Sequence, residues 1–142
     1  MATRLKLDQE SLGLSMHVER QTGAHIKDCF GDEETIYFVV AQGQIGRAIG
    51  KGGVNIKRLQ DELRKNVRMV EYRETATDYI RSIIYPLRVE EIKEELGPQG
   101  TIITLKDSNR KTKGLLIGRE ARNLQLLNRA VKRFFNVEIK VE

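Results

Sequence analysis

The 142-residue chain has one cysteine, two prolines and no tryptophan, and each shortage closes off a class of protein. A lone thiol, Cys29, builds neither a disulfide framework nor a cysteine-rich zinc site, and it fits a reducing compartment as a small buried strand residue. With so little proline, no Ser or Gln tract, and 39% apolar against 32% charged residues, the composition is that of a folded chain. No stretch approaches the ~18 apolar residues of a membrane helix. The segment Met1 to Leu7 carries Arg4 and Lys6 but lacks the apolar centre of a signal peptide. A cytoplasmic protein with no membrane partner is therefore expected. Four Phe and four Tyr are too few for an aromatic stacking platform. His17 and His25 have no partners at ligand spacing, and no nucleophile stands beside a base. We expect no catalytic residue, no metal, no cofactor and no enzyme.

What the chain does have is unevenly placed positive charge. The net charge is +5, but Gln44 to Arg68 holds seven basic and two acidic residues, and Lys106 to Arg133 nine basic and two acidic. The rest of the chain is net acidic. Two basic segments on an acidic remainder predict two binding faces for a polyanion, because a solubility surface mixes both signs throughout. Glu90, Glu91, Glu94 and Glu95 form two close acidic pairs, read as a solvated strand edge that discourages unwanted pairing.

The basic segments are copies of one another. Laying Gly46 on Gly114 aligns Ile49, Gly50, Lys51, Asn55, Ile56 and Leu59 with Ile117, Gly118, Arg119, Asn123, Leu124 and Leu127. Upstream, Thr35-Ile36 matches Thr101-Ile102; downstream, Asn66-Val67 matches Asn136-Val137, so two small insertions are expected in loops of the second copy. A period this long reads as a duplicated small domain and not as a solenoid. We place the domains at residues 1–74 and 75–142. The link from Tyr72 to Thr77 has neither glycine nor proline, so the copies are expected to pack as one rigid body, and the protein to be a monomer.

Each copy has the same grammar. Glu34 to Ala41, rich in β-branched and aromatic residues, predicts a strand; Gln44 to Ile49 a short helix; Val54 to Lys65 a longer one; Val67 to Tyr72 a strand. The longer helix would place Ile56, Leu59 and Leu63 on its core side and Lys51, Arg58 and Lys65, spaced by sevens, on a basic side. The second copy has a strand at Thr101 to Leu105, helices at Lys111 to Ile117 and Arg122 to Phe134, and a strand at Val137 to Val141. A helix precedes each copy: one from an Asp8 cap to Thr22, the other opened by the Thr75 and Asp78 capping box and closed by Pro86, with Tyr79, Ile80, Ile83 and Ile84 buried. His25 to Phe30 then forms a strand. Arg88 to Glu95 has helical spacing at Val89, Ile92 and Leu96, yet the repeat favours a strand, which we adopt. The expected order is helix, strand, strand, helix, helix, strand, twice over, an α+β fold.

Between the two helices of the first copy lies Gly50-Lys51-Gly52-Gly53. A bare Gly-x-x-Gly carries little information, and Gly43 to Gly46 and Gly97 to Gly100 are read as turns. Here the motif sits between helices in a basic stretch, flanked by Ile49 and Ile56. Glycine lets a sugar-phosphate backbone approach the main chain, and the amides of the following helix favour a phosphate. A nucleotide-binding P-loop fails: three residues, not four, separate Gly46 from Gly50-Lys51, and no Ser or Thr follows for magnesium.

The string from Gly46 to Ile56 resembles the KH domain, whose Gly-x-x-Gly loop joins two helices and clamps single-stranded nucleic acid. The helix-first order resembles the type II arrangement. Two type II copies in tandem, with Thr22 to Cys29 before the first core, look like the archaeal relatives of the transcription factor NusA. The resemblance implies a single-stranded RNA-binding factor in transcription elongation or termination. The alternative is an interaction module that docks on RNA polymerase or a ribosome-associated complex and holds RNA weakly.

On this resemblance, the RNA-binding residues of the first copy are Gly50, Lys51, Gly52 and Gly53, an aliphatic floor at Ile45, Ile49, Val54 and Ile56, and the flanking cations Arg47, Lys57 and Arg58. The second copy offers Lys113, Gly118, Arg119 and Arg122. Its loop departs from the pattern at Glu120 and Ala121, where a carboxylate and a methyl obstruct phosphate approach. Whether the second copy clamps RNA stays open; the first is expected to set affinity and the second to extend the track.

Overall fold

In the computed structural model, which describes the backbone of residues 2–142 and the side chains from residue 12 onward, each half of the repeat forms its own unit, Met1–Tyr72 and Arg73–Glu142. The first unit runs α1 (Ala2–Thr22), β1 (Ile26–Gly31), β2 (Thr35–Val40), α2 (Ile45–Ile49), a 3-10 turn (Lys51–Gly53), α3 (Val54–Leu63) and β3 (Asn66–Glu71). The second runs α4 (Ala76–Ile84), β4 (Glu91–Gly97), β5 (Gly100–Lys106), α5 (Arg110–Ile117), a 3-10 turn (Arg119–Ala121), α6 (Arg122–Lys132) and β6 (Val137–Val141). Each unit has a three-stranded sheet whose central strand, β2 or β5, pairs antiparallel with the strand before it and parallel with the last one. The expected order of elements is present in both units.

Alternation along the strands sends one side of each sheet into a core. In the first unit Val18, Ile26, Cys29, Phe38, Val40, Ala48, Leu59 and Val67 are buried together. In the second, Tyr79, Ile80, Ile83, Ile103, Leu105, Leu116, Leu127, Val131, Val137 and Ile139 are buried, while Ile84 is half-buried. The copies solve the packing with exchanged volumes. Phe38 and the small Ala48 stand at the positions of Ile103 and Leu116, so the first copy puts its bulk on the strand and the second divides it between strand and helix.

Several element ends differ from expectation. α1 starts at Ala2, so Asp8 lies within the helix and does not begin it. Leu and Arg/Lys residues without a Gly or Pro precede it, and an interior Asp costs at most about 0.7 kcal/mol, too little to stop propagation. The helix ends as expected: Gly23 takes φ +74° and its N–H donates to the Glu19 carbonyl at 2.8 Å. α3 stops at Leu63, two residues early, because Asn66 must already be in register with Thr35 in the parallel ladder. Arg64 makes the reversal in the left-handed region (φ 55°), its N–H donating to the Gln60 carbonyl. The Lys51, Arg58, Lys65 line therefore does not form. Lys65 instead donates to the Asp32 carbonyl at 3.4 Å, at the far end of α3 from the glycine loop. β4 is a strand, but begins at Glu91, because Glu90 is occupied before it: its N–H donates to Asp107 and its carboxylate accepts from Ser108. α6 likewise closes at Lys132.

The repeat also slips by one residue in its strands. Ile36 pairs with Val67 whereas Thr101 pairs with Val137, so Ile36 corresponds to Thr101 and not to Ile102. The insertion ahead of the second helix pair is accordingly one residue longer than the sequence match suggests. It is spent on an extra first turn of α5, which has eight residues against five in α2. Asn109 caps that turn, its side-chain oxygen accepting from the amides of Lys111 at 2.9 Å and Thr112 at 3.1 Å.

Candidate nucleic-acid interface

The loop between α2 and α3 is shaped by a glycine and an asparagine acting together. Gly50 adopts φ 77°, ψ 165°, a conformation closed to other residues, and a Cβ there would stand 2.9 Å from both Asn55 Nδ2 and Val54 Cγ1. Asn55 uses that space to reach back over the loop and donate to the Arg47 carbonyl at 3.2 Å. The second unit repeats the device: Gly118 has φ 74°, ψ 175°, and Asn123 donates to the Leu115 carbonyl at 2.8 Å. Asn55 and Asn123 were aligned by the repeat, but the sequence offered no role for them. Their identity at one position of both copies was the available signal.

Past the lock, Gly52 (φ 65°, ψ 18°) and Gly53 (φ 75°, ψ 20°) are both left-handed, and a Cβ at either would meet nothing within 4 Å. The second loop follows the same path without glycine: Glu120 (φ 55°, ψ 31°) and Ala121 (φ 61°, ψ 23°) are both in the left-handed region. The two loops share a backbone and differ in what stands on it.

Both loops lead into helices that no side chain closes, although the 3-10 turn before each takes its first amide: Val54 N–H donates to the Lys51 carbonyl and Arg122 N–H to the Arg119 carbonyl. α3 and α6 have no side-chain cap and no acidic residue in the first turn, whereas α4 is closed by Thr75 and α5 by Asn109. Uncapped first-turn amides together with the helix dipole form a place for an anion.

The remaining sequence-predicted residues divide by exposure. Lys51, Lys57 and Arg58 are exposed, Ile49 is half-buried at the end of α2, and Val54 is 46% exposed at the start of α3. Ile45 and Ile56 are half-buried and pack against the core, so they support the floor from beneath. Arg47 is exposed but its guanidinium donates to the Gly23 carbonyl at 3.2 Å, tying α2 to the end of α1. In the second unit Lys113 is half-buried on α5, while Arg119 and Arg122 are exposed around the loop. Among the described residues no cluster of His, Cys, Asp or Glu could hold a metal ion, and no helix is long and apolar enough to cross a membrane.

A hydrogen-bonded clamp holds α3 against α1. His17 and Gln21, one turn apart, donate to the two oxygens of Glu62 at 2.8 and 2.7 Å. The His17 bond, followed by that from Gln21, holds the Glu62 carboxyl below its usual range. Of the four clustered glutamates, Glu90 is held low by Ser108, Glu94 accepts from Thr77 at 3.1 Å, and Glu95 pairs with Lys93 at 2.9 Å.

Comparison with known proteins agrees with this geometry. The KH domain family model matches residues 14–95, from α1 into β4. Among curated relatives, a probable transcription termination protein NusA of Methanococcus vannielii is 39% identical over 89 residues, covering 63% of this chain and 51% of that protein. The chain thus spans about half the length of that relative. The protein of the same name from Methanocaldococcus jannaschii is 27% identical over 139 residues (97% of this chain, 75% of the relative), and that of Halococcus morrhuae 26% over 135 residues (95% and 96%). The crystal structure of APE1850 superposes with a TM-score of 0.75 at 26% identity, covering 94% of this chain and 99% of that one.

Proposed function

Since this chain belongs to the KH domain family, we propose that it is a single-stranded RNA-binding protein of the NusA-like kind, acting in transcription elongation or termination. The observation that carries the reading is the first loop. Two left-handed glycines with open space above them stand at the uncapped end of α3, beside the exposed Lys51. A strand clamped there lays its phosphates against bare backbone and its bases over the aliphatic surface of Ile49 and Val54. Contact with RNA polymerase is part of the same proposal, resting on the relatives' role in transcription termination. The competing reading, a docking module that holds RNA weakly, draws support from Leu12 and Met16, one turn apart on α1 and 63% and 53% exposed.

Replacing Lys51 and Gly52 together by Asp separates the two. Two carboxylates on the phosphate path should remove most single-strand binding. The melt should fall by about 4–8 °C and stay cooperative: a Cβ at Gly52 meets nothing, Asp tolerates left-handed φ, and the cost is about 1 kcal/mol. Undiminished RNA binding by this variant would remove the first loop from the interface and leave the docking reading standing.

A further inference from the structure

α6 carries a basic face distinct from the loop that precedes it. At about 100° and 1.5 Å per residue, Arg122, Gln125, Arg129, Lys132 and Arg133 fall within an arc of about 100° that runs ~16 Å along the helix. All five are exposed, on the side opposite the buried Leu127 and Val131, with Arg122 and Arg133 bordering the buried Leu126. The helix contains no acidic residue. Among the described residues, Arg129 and Lys132 have no ion-pair or hydrogen-bond partner for their side chains.

Two ordinary explanations fall short. Cations in a last turn complement the helix dipole, but Arg122 occupies the first position, where the dipole opposes it. The first copy supplies a partial control: the positions of Arg122 and Arg129 are held there by Val54 and Asp61, those of Gln125, Lys132 and Arg133 by Lys57, Arg64 and Lys65, and it folds alike. The fold does not need cations at the positions of Arg122 and Arg129. A merely solvated surface mixes signs, as the second unit does on its sheet, where Lys93 pairs with Glu95 and Lys106 with Glu142.

The chemistry of the face selects its ligand. Unpaired bases gain from aliphatic or aromatic surface, and this arc offers one glutamine and four cations. A single strand entering at the second loop would meet the Glu120 carboxylate and the Ala121 methyl, which extend from the backbone where the first loop has only glycine. A rigid, convex row of guanidinium and ammonium groups suits a ligand that hides its bases and presents phosphates at high density along a fixed path. We propose that the exposed face of α6 binds the phosphate backbone of double-stranded, folded RNA. The inference rests on the reading above only in that the same chain meets RNA.

The test is a crossed pair of variants in the full chain, read by fluorescence anisotropy against a blunt RNA duplex and an unstructured single strand. Arg129→Glu with Lys132→Glu should weaken duplex binding by about tenfold or more and reduce its log-log salt slope by about 2, leaving single-strand binding within a factor of two. Lys51→Asp with Gly52→Asp should do the reverse. Arg129→Gln with Lys132→Gln, which removes charge without reversing it, should give a smaller loss of the same kind and guards against misfolding. A parent chain that ignores the duplex, a reversal variant that binds it unchanged, or an equal loss on both RNAs would each overturn the proposal. If only the loop variant fails to lower single-strand binding, the earlier reading falls and this one stands.

Discussion

Restoring glycine to the second loop, Glu120→Gly with Ala121→Gly, should change stability and RNA affinity by separate and calculable routes. Both residues sit in the left-handed region, at φ 55° and 61°, where an L-residue pays about 1–2 kcal/mol. Glycine removes that strain but gives the unfolded chain more freedom, an offset of about 0.4–1 kcal/mol per site. The net gain for the pair is about 1 kcal/mol, which for a unit of this size raises Tm by about 4–8 °C. Affinity for an unstructured RNA should rise by a factor of a few to about tenfold, at most about 1.4 kcal/mol, because a methyl and a carboxylate leave the phosphate path. Melting by circular dichroism and anisotropy titration at physiological salt read the two effects independently. A lower or unchanged Tm would refute the strain assigned to this loop. A higher Tm with level affinity would show that the second loop does not meet a single strand.

Gly118→Ala should destabilise the protein by about 2–3 kcal/mol in chemical denaturation, because the new Cβ would lie 2.7 Å from Asn123 Cγ at a left-handed φ; Gly114→Ala, where a Cβ meets nothing within 4 Å, should be neutral or stabilising by up to about 1 kcal/mol. Equal effects at the two sites would remove the lock from the account. Acid should release the α1–α3 clamp. Glu62 has a lowered carboxyl pKa in the folded state, so its contribution is complete above the ordinary value of 4.5 and lost as pH falls through the lowered one. The stability difference between the parent and Glu62→Gln should accordingly be constant near neutrality and vanish in acid. A pH-independent difference would contradict the clamp.

The architecture was legible in the sequence because periodicity and duplication agreed. Thr75 caps α4 as expected, its hydroxyl accepting from the Asp78 amide at 3.2 Å, and the ambiguous stretch before Gly97 is a strand, as the repeat indicated, because it pairs with β5. What escaped was set by long-range register. Nothing local says that Arg64 must reverse the chain; that follows from Asn66 joining Thr35 across the sheet. The Thr-Ile match at 35–36 and 101–102 hides a slip that the core face could have exposed: the matched register sets Thr104 and Lys106 against the buried Phe38 and Val40, whereas the observed one sets Ile103 and Leu105 there. The loop's position was evident from glycine spacing. Its lock was not, since an asparagine bonding a carbonyl eight residues back looks like any surface amide.

The two loops together explain why Gly52 and Gly53 are glycine. A close neighbour is the usual reason, but a Cβ at either position would meet nothing within 4 Å. Backbone shape is the next, yet the second loop traces the same left-handed pair with Glu and Ala, so the path is imposed by the Gly–Asn lock and the helices on either side. Strain alone would favour glycine by about 1 kcal/mol per site, a cost the second unit carries while folding to the same pattern. What distinguishes the first loop is the outward side of those residues, left bare at the positive end of a helix without a cap. Gly53 N–H is spent on the Gly50 carbonyl, but the open side of these two residues makes no internal contact, and such a surface is what a phosphodiester chain would need in order to approach the main chain.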